Sequence, residues 1–231
     1  MIDNLNIYKS INKILSIIYK ILSERIESNF EKKLNYQTHG FGFLLSLLGT
    51  FFLVNKSLIY PLDEKLLSSI IYGLSLIFMF GSSSLYHYFI DDKHSNSLQK
   101  LDHVSIYFLI AGSYTPPILL NMNSLIGEKI LIIIWAMAFI GVIHKVFFFN
   151  YFKNLSLIFY LIMGWLIIID FRTVLVSFTN YEITLMVIGG VLYSVGAVFY
   201  SKDQLKYNHV IWHIFVLLGS ISHFFLMSSI I

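Results

Sequence analysis

The chain contains no cysteine. Disulfides and thiolate metal ligands are therefore excluded, and any transition metal must be held by histidine with aspartate or glutamate. Charge is scarce as well: 13% of the residues are Asp, Glu, Lys or Arg, against 57% hydrophobic. So few charges cannot cover a water-facing surface, which excludes an ordinary soluble domain and implies an integral membrane protein. No basic block is present and the net charge is only +3, so nucleic acid is not an expected partner, whereas membrane lipids are. The first residues lack an uninterrupted apolar run with a small-residue cleavage site, so no cleavable signal peptide is expected. No linker, low-complexity tract, internal repeat or phosphate-binding glycine loop interrupts the chain.

What remains is apolar and evenly divided. Seven stretches approach the ~20 residues needed to cross a bilayer as a helix. They run roughly over 39–60, 66–90, 104–122, 130–149, 155–175, 182–200 and 209–230. The expected fold is all-α: a polytopic seven-transmembrane helix bundle formed by residues 35–231. Pro116 and Pro117 should kink the third span or end it early, because proline removes a helical hydrogen bond. Asp170 and Arg172 belong near an interface. Ahead of the bundle, residues 1–34 carry Ile11, Ile14, Leu15 and Ile18 at helical spacing with Lys9, Lys13 and Lys20 between them, which predicts an amphipathic helix lying on the membrane surface. Gly164, Gly189, Gly196 and Ala197 read as small residues that let helices approach closely.

Lysine and arginine set the orientation. With the N-terminus in the cytoplasm, 12 of the 16 basic residues fall on the inner side and only Lys56, Lys65, Lys129 and Arg172 on the outer, which predicts N-in and C-out. In a bacterium the membrane would be the plasma (inner) membrane.

That orientation brings three span ends to one side. The second span closes with "GSSSLYHYF", the third opens with "KLDHVSIYF" and the seventh opens with "HVIWH". His209 and His213 are four residues apart and share a helical face, so two imidazoles can meet one ion. His87 could add a third nitrogen, and three histidines with an open fourth position is a zinc arrangement known from catalysis. Ser83 precedes His87 by one helical turn and could hydrogen-bond a water. Asp102 could hold that water or take its proton, once zinc has lowered its pKa towards ~7. Simpler roles stand beside these: Asp102 as a helix N-cap, and His87 as an interfacial side chain with its polar tip in water. His39 reads as a helix-start or interfacial residue, or as a partner of the ligands. His223, ten residues past His213, is ~15 Å further along the helix and reads as a hydrogen-bonded core histidine. His94, His103 and His144 carry no assigned chemistry.

The stretches "NYQTHGFGFLLSLLG", "SSSLYHYF", "LDHVSIYFLIAGSYTP", "YLIMGW", "GGVLYSVGAVFY" and "HVIWHIFVLLGSISHF" cover most of residues 35–225. In order and spacing they resemble the hemolysin III family, within the progestin and adipoQ receptor superfamily. The resemblance implies a seven-helix intramembrane zinc protein with His87, His209 and His213 as metal ligands, and Ser83 and Asp102 at the family's serine and aspartate positions. It also implies ceramidase-like lipid hydrolysis, as in the receptor branch, or haemolysis and membrane-lipid homeostasis, as in the bacterial branch. Two functions follow as expectations: a zinc-dependent hydrolase of a lipid amide or ester with Asp102 and Ser83 catalytic, or a non-enzymatic pore-forming or membrane-regulating protein whose Zn2+ ties helices together.

The charge distribution yields the first test. Reporter fusions at the two ends should place the N-terminus in the cytoplasm and the C-terminus outside; both ends on one side would contradict an odd number of spans.

Overall fold

A computed structural model describes residues 25, 27–59, 64–122, 124–149 and 153–231. The described elements are helical, and seven helices are long and apolar enough to cross a membrane, as expected of an integral membrane protein. They are α1 (Asn29–Ser57), α2 (Glu64–Tyr88), α3 (Ser95–Leu120), α4 (Leu125–Phe147), a broken fifth span, α7 (Asn180–Tyr200) and α8 (Asn208–Ile230). The broken span consists of α5 (Lys153–Trp165), a 3-10 turn (Leu166–Asp170) and α6 (Phe171–Ser177). The amphipathic surface helix expected within residues 1–34 lies outside the described residues, except for its last few positions.

Two helices start well before the apolar runs. α1 begins at Asn29, not near residue 39, because Ser28 and Glu31 form a capping box: the Ser28 side chain accepts from the Glu31 N–H and the Glu31 carboxylate accepts from the Ser28 N–H. α3 begins at Ser95, not near residue 104. Asp102 is therefore well inside the helix, and its expected role as an N-cap is ruled out. Pro116 and Pro117 fall in the last turns of α3, which ends at Leu120. Proline lacks an N–H, so the carbonyls one turn back lose their helical donors and the helix cannot propagate far.

The fifth span runs through Asp170 to Ser177, further than its charges suggested. Where it tightens, Tyr114 of α3 supplies the missing bonds: its hydroxyl donates to the Gly164 carbonyl and accepts from the Ile167 N–H, both at 3.0 Å. Asp170 is buried and accepts from the Ser124 hydroxyl at 2.6 Å and the Thr173 hydroxyl at 2.7 Å.

Polarity is distributed as a lipid solvent requires. On α1 the buried residues include Asn35, His39, Gly42, Ser46 and Ser57, whereas Leu44, Leu48 and Phe51 point outward. α2 and α3 are the most buried spans, and the fifth span and α7 the least. α1 packs on α2 and on α8, so the first and last spans are parallel neighbours.

The glycines divide into two kinds. A Cβ on Gly189 would lie 2.2 Å from the His223 ring, and one on Gly196 would lie 2.8 Å from Phe215 and Trp212, so both permit close helix approach as expected. Gly164 does not: a Cβ there meets nothing within 4 Å. Gly164 instead faces a cavity. Gly196→Ala should lower stability by about 1–3 kcal/mol through overpacking, whereas Gly164→Ala should change it by less than about 0.5 kcal/mol; thermal unfolding in detergent measures both.

Candidate metal centre

Helix geometry decides which histidines meet. His209 and His213 occupy successive turns at the start of α8, and their ring centroids lie 4.7 Å apart. His87 is in the last turn of α2, with centroids 4.7 Å from His209 and 4.9 Å from His213. The three rings thus form a nearly equilateral triangle. One nitrogen from each lies within 4.8 Å of the others, so together they could hold a metal ion. Nitrogens around a tetrahedral ion at ~2.0–2.1 Å stand about 3.3 Å apart, so small ring rotations would close the set.

The pairing of the ring nitrogens fits a metal. Neutral imidazole has one donor and one acceptor. His213 Nδ1 lies 3.2 Å from the Asn35 carbonyl oxygen, which can only accept, so Nδ1 carries the proton and Nε2 keeps its lone pair. The Thr38 hydroxyl lies 3.2 Å from the same Nδ1. His87 is buried, and neither of its nitrogens has a hydrogen-bond partner. A buried polar atom left unpaired costs about 1–3 kcal/mol, and a cation in the triangle would take up the lone pair of one of the two. The expected interfacial placement of His87 is therefore incorrect, because the ring is enclosed by the bundle.

Asp102 and Ser83 line the same cavity as His209 and His213. Among the described residues Asp102 is not one of the close ligand group.

Other histidines sort differently. His39 is neither at a helix start nor at an interface. It lies in mid-helix, 3% exposed, with its ring stacked on His213 at 3.5 Å and 18°. That face-to-face contact fixes the plane of His213 and aims neither His39 nitrogen along the His213 lone pair. His223 lies further along α8 as expected; its Nε2 is 3.5 Å from the Met186 carbonyl, a weak contact. Sequence reasoning missed Asn35, Thr38 and Glu31. Their signal was available: Glu31, Asn35 and His39 recur every four residues and form one buried polar stripe on α1.

Fold and site together define a seven-helix membrane protein with a histidine triad buried at one end of the bundle. The haemolysin III-related family model matches residues 28–224, and the chain belongs to that family. It is 39% identical over 195 residues to the Hemolysin-3 homolog of Bacillus subtilis (strain 168), covering 84% of this chain and 92% of the relative. Hemolysin-3 of Bacillus cereus is 38% identical over 195 residues, covering 84% and 89%. The Monocyte to macrophage differentiation factor of Homo sapiens is 28% identical over 206 residues, covering 85% and 82%.

Purified protein should carry roughly one equivalent of divalent metal, as a three-histidine site binds. Elemental analysis should show it lost in His87→Ala and His213→Ala, each of which removes a ligand, and kept in His223→Ala. Loss in His223→Ala equal to that in His213→Ala would contradict the assignment.

Proposed function

We propose that the protein is a zinc-dependent hydrolase of a lipid amide or ester, acting on membrane lipids from within the bilayer. The supporting observation is a cavity of about 320 Å³ with Asp102, Ser83, His209 and His213 in its wall. Cavities of ~300–1,000 Å³ suit small organic ligands. This one continues past Gly164 and Trp165 to His223, next to a second cavity of about 100 Å³ that shares those residues. A reactive bond can thus lie at the polar end while an acyl chain extends along the apolar wall. Among the described residues no Lys or Arg lines it, which favours a neutral lipid over one with a phosphate head.

Three neutral imidazoles without a thiolate suit zinc, which when bound would supply a Lewis acid and an activated water. The chain's own residues do the rest. Asn35 and Thr38 hold the His213 tautomer. Asp102 accepts the proton of the attacking water and returns it to the leaving group. Ser83 orients the Asp102 carboxylate. With the N-terminus in the cytoplasm, this chemistry lies at the cytoplasmic end of the bundle, where it would serve membrane-lipid homeostasis.

The name shared by the two bacterial relatives supports a second reading, in which the protein acts on membranes without catalysis and the metal only joins α2 to α8.

Two variants separate the readings. Asp102→Asn leaves the helix start at Ser95 untouched, so the protein should stay folded and metal-loaded. Hydrolysis of ceramides or acyl amides should fall by about 10²–10⁴-fold, the usual worth of a positioned acid or base. Gly164→Leu should fill the cavity and raise KM for long acyl chains with no loss of metal. Wild-type protein that hydrolyses no ceramide, acyl amide or phospholipid would favour the non-enzymatic reading.

A further inference from the structure

The Glu31 carboxylate accepts four hydrogen bonds, and one of them reaches across the chain. Its Oε2 accepts from the Ser28 N–H at 2.9 Å and the Ser28 hydroxyl at 3.0 Å, which is ordinary capping. Its Oε1 accepts from Arg25 Nη1 at 2.7 Å and from the Tyr207 backbone N–H at 2.8 Å. Tyr207 stands two residues before His209. It has φ 60 and ψ 16, and is the one non-glycine residue with positive φ among the described residues. A left-handed conformation is unfavourable for a residue with a Cβ and persists only where its surroundings impose it.

No side chain caps α8. Its first turn rests on the Tyr207 carbonyl, which accepts from the Ile211 N–H at 2.8 Å, so the backbone angle at Tyr207 sets the direction in which α8 departs. Arg25 Nη2 adds a long contact to Asn208 Oδ1 at 3.4 Å. One turn along α1 from Glu31, the Asn35 carbonyl holds the His213 ring. α1 therefore grips α8 at two points, one on the backbone before His209 and one on the ring of His213.

The geometry points to Glu31 as a positioning residue for the metal centre: its carboxylate holds Tyr207 left-handed so that His209 and His213 both face His87. This role rests on the metal reading above. It differs from capping, because Ser28 shares the capping bonds but not the bond to Tyr207.

The test uses full-length protein in detergent, with zinc affinity measured by competition against a chelator. Glu31→Gln keeps a side chain compatible with capping but cannot accept all four donors. It should weaken zinc binding by about 10–100-fold, as loss of a residue that orients ligands does. Glycine adopts the left-handed conformation freely, so adding Tyr207→Gly to Glu31→Gln should restore affinity to within about threefold of wild type. Tyr207 is 39% exposed, so Tyr207→Gly alone, measured beside the double variant, separates lost packing from the backbone effect. Ser28→Ala should lower the melting temperature and leave zinc affinity unchanged. Tyr207→Val keeps every Glu31 bond but disfavours positive φ, and should weaken zinc binding even if Glu31→Gln does not fold. Equal affinities in wild type and Glu31→Gln, no rescue by glycine, a Ser28→Ala loss as large as that of Glu31→Gln, or an unchanged Tyr207→Val would each overturn the role. Wild-type protein that takes up no zinc would overturn the metal centre itself, and this role with it.

Discussion

An imidazole nitrogen left unpaired inside an apolar bundle is costly, and the bond that relieves this cost at His213 organises one end of the molecule. Water is not there to supply the bonds, and each one unmade costs about 1–3 kcal/mol. His213 meets the need by donating Nδ1–H to the Asn35 carbonyl, which keeps a lone pair on its other nitrogen, and its ring lies against those of His87 and His209. That bond obliges α1 to lie against α8, although α1 carries none of the three histidines. The stacked His39 ring and the Phe80 ring edge against it close the remaining faces. The triad is thus a property of three helices held in register, not of α8 alone.

The far end of the bundle keeps the same register by another route. The last carbonyls of a helix lack internal donors. On α8 they receive lysine ammonium groups: Lys56 donates to the Ser228 carbonyl and Lys65 to the Ile231 carbonyl. Positive charge there also complements the helix dipole. Nearby, the Ser57 and Ser69 hydroxyls pair across α1 and α2. α8 is therefore anchored to α1 and α2 at both ends. The fifth span and α7 are less buried and carry the exposed apolar surface of Ile168, Val176 and Val198. The cavity is lined from both groups and from α3, with Ser83, Asp102, His209 and His213 on the more buried helices.

Much of this was legible in the sequence because hydropathy and helical spacing encode it directly. All seven spans and the meeting of His87, His209 and His213 follow from those two signals. The rest depended on reading polar residues as part of a membrane helix. The serine and glutamate of "SNFE" are a capping box, and recognising it would have started α1 at Asn29 and exposed the Glu31, Asn35 and His39 stripe. Asp102 resembled an N-cap because it precedes an apolar run, yet α3 begins in the polar segment before it. Gly164 resembled a packing glycine, but one sequence cannot distinguish a glycine that admits a helix from one that leaves space for a ligand. The bond from Glu31 to Tyr207 joins residues 176 positions apart through a backbone N–H, so no side-chain pattern announces it.

Family membership and the triad are compatible with a metal that performs chemistry and with one that only joins helices, since either use engages the same buried nitrogens. The discriminating feature is what surrounds the triad. A structural zinc site is closed by four protein ligands. Here, among the described residues, three side chains that could hold a metal converge and Asp102 stands outside their group. The Asp102 carboxylate lines the cavity together with Ser83, His209 and His213. A scaffold gains nothing from a carboxylate in the wall of a cavity of about 320 Å³ that two of the histidines also line. A hydrolytic site needs both: a coordination position free for water, and a base close enough to take its proton while leaving room for a lipid. It is the position of Asp102, more than the histidines, that supports the catalytic reading.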